Sequence, residues 1–229
     1  TVTYLLDGRM QHEDSAGNSG ELNPGDVQWM TAGRGIIHSE EPHDEFRRTG
    51  GRTHGFQIWV NLPAKHKMMA PRYQEIPEAD SPTVEHDGVW ARVIAGECLG
   101  VTSSIDTVIP ISLIHVKMEE GAVLNQTIAS GLNGMIYVFR GSIRVNDQLS
   151  VRKQPMPFGI GIKQQVSDGE LALLSDGETV EITCDSPCDL LILAGPEIDE
   201  PIARYGPFVM NTREEIHQAV IDYQNGTFA

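Results

Sequence analysis

The sequence predicts an all-β protein that contains two similar barrels and ends in one helix. Short runs rich in Val, Ile, Leu and aromatic residues recur along the 229 residues, separated by Gly, Pro, Asn and Asp turn signals. Strands at this spacing are typical of sandwiches and barrels rather than of alternating α/β units. The runs fall into two related sets, and a single helical pattern closes the chain.

The first strand candidate opens the chain. Residues 1–6 are dense in β-branched and aromatic side chains and break at Asp7-Gly8, so the sequence begins inside a strand. We interpret this beginning as a cut and expect further residues upstream of Thr1. The later strand candidates lie at 27–30, 36–39, 56–62, 111–118, 135–139, 143–145, 171–174, 179–183 and 190–193.

An internal repeat relates the two sets of strands. The segment 4–8 resembles 137–141 at an offset of 133 residues, and Ile58 falls on Leu191 at the same offset. The turns between the strands do not keep this register. The pattern indicates two similar barrels with different loops, although similar strand composition alone remains an alternative explanation.

The repeat predicts two domains. We place an N-terminal barrel and its linker at 1–82, and a C-terminal barrel with the terminal helix at 83–229. The linker is predicted at 63–82, a charged stretch with four prolines, part of which is expected to form a short helix.

The C-terminal helix is predicted from its cap and its periodicity. Thr212 and Glu215 form a capping box, in which the Thr212 hydroxyl accepts from the Glu215 amide. Apolar residues follow at helical spacing, and Asn225-Gly226 gives a stop signal. We expect a helix of about 12 residues that packs one face on a barrel.

The charge balance restricts the partners of this chain. It holds 17 basic and 32 acidic residues, a net charge of −15, which disfavours direct contact with nucleic acid. No apolar run approaches the length of a membrane span, and the N-terminus lacks a secretory pattern. We therefore expect a soluble, cytoplasmic protein without membrane contact.

The cysteines agree with a reducing compartment. Cys98, Cys184 and Cys188 are an odd and sparse set, which does not make a disulfide framework. Cys184 and Cys188 flank a turn signal and could face each other as a redox-sensitive pair, but reduced thiols are the ordinary state of such cysteines.

The eight histidines contain one candidate for chemistry. His38 and Glu40 stand two positions apart on a strand candidate, so their side chains share a face and form half of a metal site. The spacing alone is weak, because a surface pair is the more common explanation. His12 with Asp14 and His43 with Glu45 repeat it in turn-rich segments, where we expect solvated loop residues.

Two further histidines have structural interpretations. His115 stands alone on a strand and is expected to be a satisfied core or edge residue. His54 could support the first site from behind its ligands, and a structural role at the start of a strand is an equal alternative.

The string from Leu22 to Glu40, with its Met-Thr-Ala-Gly-Arg-Gly run before His38-Ser39-Glu40, resembles the pirin family. Stretches at 1–8, 54–62 and 205–212 match the family in order, so the resemblance covers nearly the whole chain. It implies two cupin barrels, that is, double-stranded β-helix or jelly-roll barrels, with the front strands of the first one missing.

The resemblance also implies a metal site in the first barrel. Family members carry a His-Pro-His-Arg-Gly-Phe-Glu stretch before the strand that begins here at Thr1, and its two histidines join the later pair. In this sequence only His38 and Glu40 match the metal-ligand positions. The implied ion is Fe(II), with other divalent transition metals as alternatives, and a shortened chain is expected to bind it weakly or not at all.

The resemblance implies a quercetin 2,3-dioxygenase, which cleaves a flavonol with dioxygen and releases carbon monoxide. Glu40 would be its catalytic base as well as a ligand. The alternative is an iron-binding regulatory protein that assists transcription factors or metabolic enzymes without catalysis of its own. A third possibility is a catalytically silent double barrel. The expected partners are a small aromatic substrate such as a flavonol and, for regulation, another protein.

Overall fold

The computed structural model describes residues 1–146, 164–175 and 177–229, in which β-structure dominates as predicted. Its strands are β1 Val2–Asp7, β2 Met10–Asp14, β3 Ser19–Leu22, β4 Val27–Thr31, β5 His38–Pro42, β6 His54–Ile58, β7 Arg72–Ile76, β8 Thr83–His86, β9 Val89–Ala95, β10 Glu97–Cys98, β11 Val101–Thr102, β12 Ser112–Met118, β13 Val123–Thr127, β14 Leu132–Asn146, β15 Gln165–Ser167, β16 Leu171–Leu173, β17 Thr179–Pro196, β18 Ala203–Tyr205 and β19 Phe208–Met210. Its helices are α1 Asp44–Thr49, α2 Ala64–Lys67 and α3 Arg213–Gln224. No helix in these ranges is both long enough and apolar enough to cross a membrane.

The chain divides into two compact units. The first unit contains residues 1–80 and 198–229, and the second contains 81–197. The division after residue 80 lies close to the predicted one. Residues 198–229, which the sequence analysis places in the second domain, lie in the first compact unit of the structure.

Specific contacts explain this placement of the C-terminal segment. The Glu200 carboxylate accepts a hydrogen bond of 2.6 Å from the Ala64 backbone N–H at the start of α2. The guanidinium of Arg204 lies 4.9 Å from the centre of the Trp59 ring. Such contacts join residues far apart in sequence, so the local pattern around the terminal helix could not predict them.

Besides the two-stranded pair β18-β19, the first unit is built on two antiparallel sheets. One has the strand order β6-β1-β4-β7 and the other β3-β2-β5. The predicted linker at 63–82 contains the expected short helix, α2. It also contains β7, which pairs with β4 and places Tyr73 opposite Met30, so part of the linker belongs to the first sheet.

The second unit contains a larger sheet with an apolar interior. Its strand order is β15-β14-β17-β12-β9-β8, with β13 paired to β17 and β16 paired to β14. Alternate residues of β12, such as Ile114 and Val116, enter a hydrophobic core, whereas His115 between them points to the opposite face. Buried aliphatic side chains of β9, β13, β14, β15 and β17 complete this core.

Two long strands replace pairs of predicted short ones. The candidates at 135–139 and 143–145 both lie in β14, and those at 179–183 and 190–193 both lie in β17. The β14–β17 register shifts at three places, which indicates bulges that bend a strand without ending it. Gly141 has a φ of 75°, and a Cβ added there would lie 2.3 Å from the Pro187 carbonyl oxygen. The glycine therefore marks a bulge rather than the turn that its sequence context indicates.

The internal repeat corresponds to similar strand pairs in the two units. β1 pairs antiparallel with β6 and places Tyr4 opposite Phe56. β14 pairs antiparallel with β17 and places Tyr137 opposite Leu191. Tyr4 and Tyr137 are the residues that the offset of 133 matches, but their partners do not keep that offset: Ile58, the match of Leu191, lies opposite Val2.

The terminal helix has the predicted cap and length. The Glu215 N–H donates to the Thr212 hydroxyl at 3.2 Å, and the Thr212 N–H donates to the Glu215 carboxylate at 2.8 Å. These hydrogen bonds satisfy two of the unpaired donors at the helix start. The 12 residues of α3 agree with the expectation from the sequence.

Candidate functional site

The predicted pair lies on β5, on one face of the strand. The strand begins at His38 rather than at residue 36, and His38 and Glu40 remain two positions apart within it. β5 pairs with β2, which places His12 opposite Glu40 and Asp14 opposite His38. His38 is exposed and Glu40 is half-buried. These four side chains therefore share one face of the smaller sheet.

Two donors from the four-stranded sheet β6-β1-β4-β7 hold the Glu40 carboxylate. The Thr3 hydroxyl donates to Glu40 Oε1 at 2.7 Å, and the Gln57 amide donates to Oε2. Thr3 and Gln57 are themselves opposite each other in the β1–β6 pair, and Thr3 is buried. Since each carboxylate oxygen has its own donor, these two hydrogen bonds fix the orientation of the Glu40 carboxylate.

His12 is a residue of this site that the sequence analysis missed. We expected a solvated loop histidine, but His12 lies within β2 and is only 4% exposed. Its Nε2 lies 3.0 Å from Glu75 Oε1, yet without the alignment of a hydrogen bond. Met10, His12 and Asp14 alternate along β2 and share one face of the strand. Recognition of a hairpin at the Asp14–Gly17 turn would have placed His12 on that face.

A row of polar residues, called the polar row below, crosses the four-stranded sheet β6-β1-β4-β7 beside Glu40. Gln57, Thr3, Gln28 and Glu75 occupy neighbouring register positions on β6, β1, β4 and β7. The Gln28 amide donates to Glu75 Oε1 at 3.1 Å. Since Thr3 contacts Glu40 and Glu75 contacts His12, the row faces the smaller sheet. The space between the two sheets is therefore lined by polar groups, in contrast to the apolar core of the second unit.

Tyr73 borders this polar region. Its ring centre is 6.2 Å from that of His12, with the two planes 21° apart. Burial raises the pKa of Tyr73, and the neighbouring Asp14 carboxylate raises it further. The phenol therefore stays protonated at neutral pH. Hydrogen bonds from Asn18 lower the pKa of Asp14 against the opposing effect of burial, so Asp14 stays ionised.

His43 and His54 have structural surroundings. His43 caps α1 rather than lying in a solvated loop: its Nδ1 accepts from the Glu45 N–H at 3.2 Å, and its Nε2 lies 3.2 Å from the Glu21 carboxylate. His54 begins β6, with its Nδ1 3.1 Å from Arg52. The structural alternative given for His54 thus agrees with its position at a strand start.

His115 is a satisfied buried histidine, as predicted. Its Nε2 lies 3.2 Å from Asp189 Oδ1, and both residues are buried. Burial lowers the pKa of His115, and the contact with Asp189 only partly opposes this effect. The pair belongs to the second unit, whose apolar core it does not enter.

The described residues do not by themselves form a complete group of metal donors. Within 1–146, 164–175 and 177–229, no group of three or more His, Cys, Asp or Glu side chains is placed to hold a metal ion. The imidazole of His38 and the carboxylate of Glu40 are donors of the right type for Fe(II) and similar ions, but two donors do not complete a site. A metal centre here would need further donors.

The fold and the polar site together define a double-cupin protein whose candidate chemistry lies in its first unit. Two family models support a more specific assignment. The model described as pirin matches residues 1–60, and the one described as the pirin C-terminal cupin domain matches 113–229. The chain belongs to the pirin family, and the fold class that the resemblance implied is confirmed.

Individual relatives extend this result. The chain is 39% identical to human Pirin over 228 residues, which cover 98% of the chain and 73% of that protein. The crystal structure of quercetin 2,3-dioxygenase from Acinetobacter baumannii matches with a TM-score of 0.88 and 34% identity, covering 100% of this chain and 75% of that one. A bacterial pirin from Escherichia coli in complex with nickel(II) has a TM-score of 0.62 at 22% identity, covering 85% of this chain and 71% of that one, a likeness of fold.

Proposed function

We propose that this protein is a metal-dependent dioxygenase of the quercetin 2,3-dioxygenase type, which cleaves a flavonol with dioxygen. The observation that carries the proposal is the Glu40 carboxylate, held by Thr3 and Gln57 on the same strand face as His38. The 34% identity with the Acinetobacter baumannii enzyme over the whole chain supports the same activity.

The metal would be bound in part by His38 and Glu40. These residues would supply one imidazole and one carboxylate of the site. Fe(II) is the ion we favour, with another divalent transition metal as the alternative. When bound, the ion would provide a common point of attachment for the flavonol oxygen and dioxygen.

The role of Glu40 in this proposal is to take the proton of the flavonol hydroxyl. Its two oxygens each accept one hydrogen bond from the protein, and each keeps a further lone pair for a ligand. Since Thr3 is buried, the carboxylate is positioned before the substrate arrives. Glu40 is half-buried and therefore remains reachable from solvent.

The charge of the region supports a neutral substrate. Asp14, Glu40 and Glu75 bring three carboxylates to one region of the first unit. Carboxylates accept hydrogen bonds and repel anions, so a ligand with several hydroxyl donors suits this region better than a phosphate or a carboxylic acid. Flavonols have this character.

The proposal is tested with a Glu40→Gln variant of the full-length protein, supplied with Fe(II) and quercetin. We expect carbon monoxide release by the wild type and a loss of at least about a hundredfold in the variant. Glu41→Gln is the matched control, because Glu41 is exposed on the opposite face of β5, where it pairs with Arg47. Undiminished release from the Glu40 variant would remove this residue from the mechanism.

A regulatory function is the second candidate. The 39% identity with human Pirin favours an iron-binding protein that assists another protein without catalysis of its own. Wild-type protein that binds iron, releases no carbon monoxide from quercetin and binds a partner only in one iron oxidation state would support this candidate. For either function we propose a cytoplasmic location, which agrees with three free cysteines among the described residues.

A further inference from the structure

Two buried polar side chains, Gln28 and His12, lie against the Glu75 carboxylate. The Gln28 amide donates to its Oε1 at 3.1 Å, and His12 Nε2 lies 3.0 Å from the same oxygen. Gln28 is 2% exposed and His12 is 4% exposed, whereas the Glu75 side chain is 49% exposed. Two interior side chains thus support a carboxylate that opens to solvent.

Stability alone gives a poor account of this arrangement. Burying an amide and an imidazole costs free energy unless both are well hydrogen-bonded. Among the described residues His12 Nε2 has no aligned hydrogen-bond partner, although it points at Glu75. An exposed carboxylate that only stabilised the fold would gain little from such contacts, because its partner in solution is water. An unsatisfied buried polar group of this kind calls for an explanation other than stability, and a functional role is one.

The arrangement around Glu75 repeats that around Glu40. Each carboxylate is held by side chains of the same polar row, by Thr3 and Gln57 in one case and by Gln28 in the other. Thr3 on β1 and Glu75 on β7 are separated by β4 alone, so their backbones are about 10 Å apart. The two carboxylates therefore contact the same polar row at different strands, Glu40 at β1 and β6 and Glu75 at β4.

We propose that Glu75 is a second ligand-contacting residue, which accepts a hydrogen bond from a ring hydroxyl of a polyhydroxylated aromatic substrate while Glu40 engages its other end. His12 and Gln28 are positioning residues that act through Glu75. This inference rests on the proposed function, since it concerns the same substrate class. It adds a specificity element: hydroxyl groups remote from the reacting ring would contribute to affinity.

The test compares two ligands that share the reacting ring. Quercetin carries additional ring hydroxyls, and 3-hydroxyflavone lacks them. Both are titrated anaerobically into the full-length protein, so that binding is measured without turnover. We expect Glu75→Ala to weaken quercetin binding about tenfold, since it removes a charge-assisted hydrogen bond, and to leave 3-hydroxyflavone binding unchanged. Glu13→Ala is the matched control, because Glu13 is exposed and neighbours His12 on the opposite face of β2.

Two further variants separate contact from support. Glu75→Gln keeps an acceptor at the same place and should weaken quercetin binding only about threefold, and it replaces the Ala variant if that variant fails to fold. His12→Phe should also weaken quercetin binding about threefold. It should cause no additional loss of quercetin affinity when combined with Glu75→Ala, because His12 acts through Glu75.

The outcomes distinguish this inference from the proposed function. Selective loss of quercetin affinity supports the role of Glu75 even if the wild type releases no carbon monoxide, in which case the dioxygenase proposal fails alone. Carbon monoxide release together with equal losses for both ligands, or with no loss for either, overturns the role of Glu75 and leaves the dioxygenase proposal standing.

Discussion

Replacing Thr3 by valine tests whether the polar row holds Glu40 in place. The substitution keeps the branched shape of the side chain and removes only the hydroxyl, which donates to Glu40 Oε1 at 2.7 Å. Hydrogen bonds to charged groups contribute about 1.5–3 kcal/mol. Glu40 is half-buried, so water replaces part of the lost contact, and valine is a good strand residue. We therefore expect the free energy of unfolding to fall by about 1–2 kcal/mol.

The assay is urea denaturation, followed by a double-mutant cycle with Glu40→Gln. If the hydroxyl and the carboxylate interact as described, the two substitutions should be non-additive by about 1 kcal/mol. Thr31→Val is the control, because Thr31 is equally buried on β4 of the same sheet and lies on the opposite face of that strand from Gln28. Equal destabilisation by the two threonine substitutions, together with additivity towards Glu40→Gln, would refute the reasoning.

Three other predictions concern regions outside the polar row. Burial lowers the pKa of His115, so below about pH 6.5 the unfolded chain binds a proton more readily than the folded chain, and stability falls as the pH falls. His115→Phe should flatten the dependence of the unfolding free energy on pH between pH 7 and pH 5. An unchanged dependence would contradict the lowered pKa of His115. Burial raises the pKa of Cys188 to about 12 from a usual value of 9.0, so its alkylation by a maleimide should be about a thousandfold slower in the folded protein than in urea, and equal rates would contradict the burial of this thiol. Glu200→Ala removes the acceptor for the α2 backbone and should lower the hydrogen-exchange protection of residues 198–229 by about tenfold, with Asp199→Ala as control; unchanged protection would show that other contacts hold the segment.

The local parts of the fold were predictable from the sequence. The terminal helix follows from its capping box and periodicity, and the strands near 27–30, 111–118 and 171–174 follow from short apolar runs between turn signals. The continuous strands β14 and β17 were not predictable, because a bulge at a glycine has the same local sequence as a turn. The association of 198–229 with the first unit depends on contacts such as that of Glu200 with Ala64, which no local pattern contains.

The candidate site was predictable only in its local pair. The shared face of His38 and Glu40 follows from a two-residue spacing on one strand. His12 and Glu75 were missed, because their position near His38 and Glu40 depends on long-range pairing. β2 pairs with β5, and β7 pairs with β4 in the four-stranded sheet. β7 lies in a stretch whose prolines and charges are typical of a linker. Long-range strand pairing decides which polar residues become buried neighbours, and a single sequence does not encode that pairing locally.

The position of residues 198–229 determines the order in which the first unit can be completed. A ribosome makes residues 1–80 before 81–197, and the segment that supplies Glu200 and Arg204 emerges only after the whole of 81–197. During synthesis the second unit can therefore finish folding before the first unit does. Premature termination after residue 197 would leave the later unit intact and harm the earlier one, which carries the candidate chemistry.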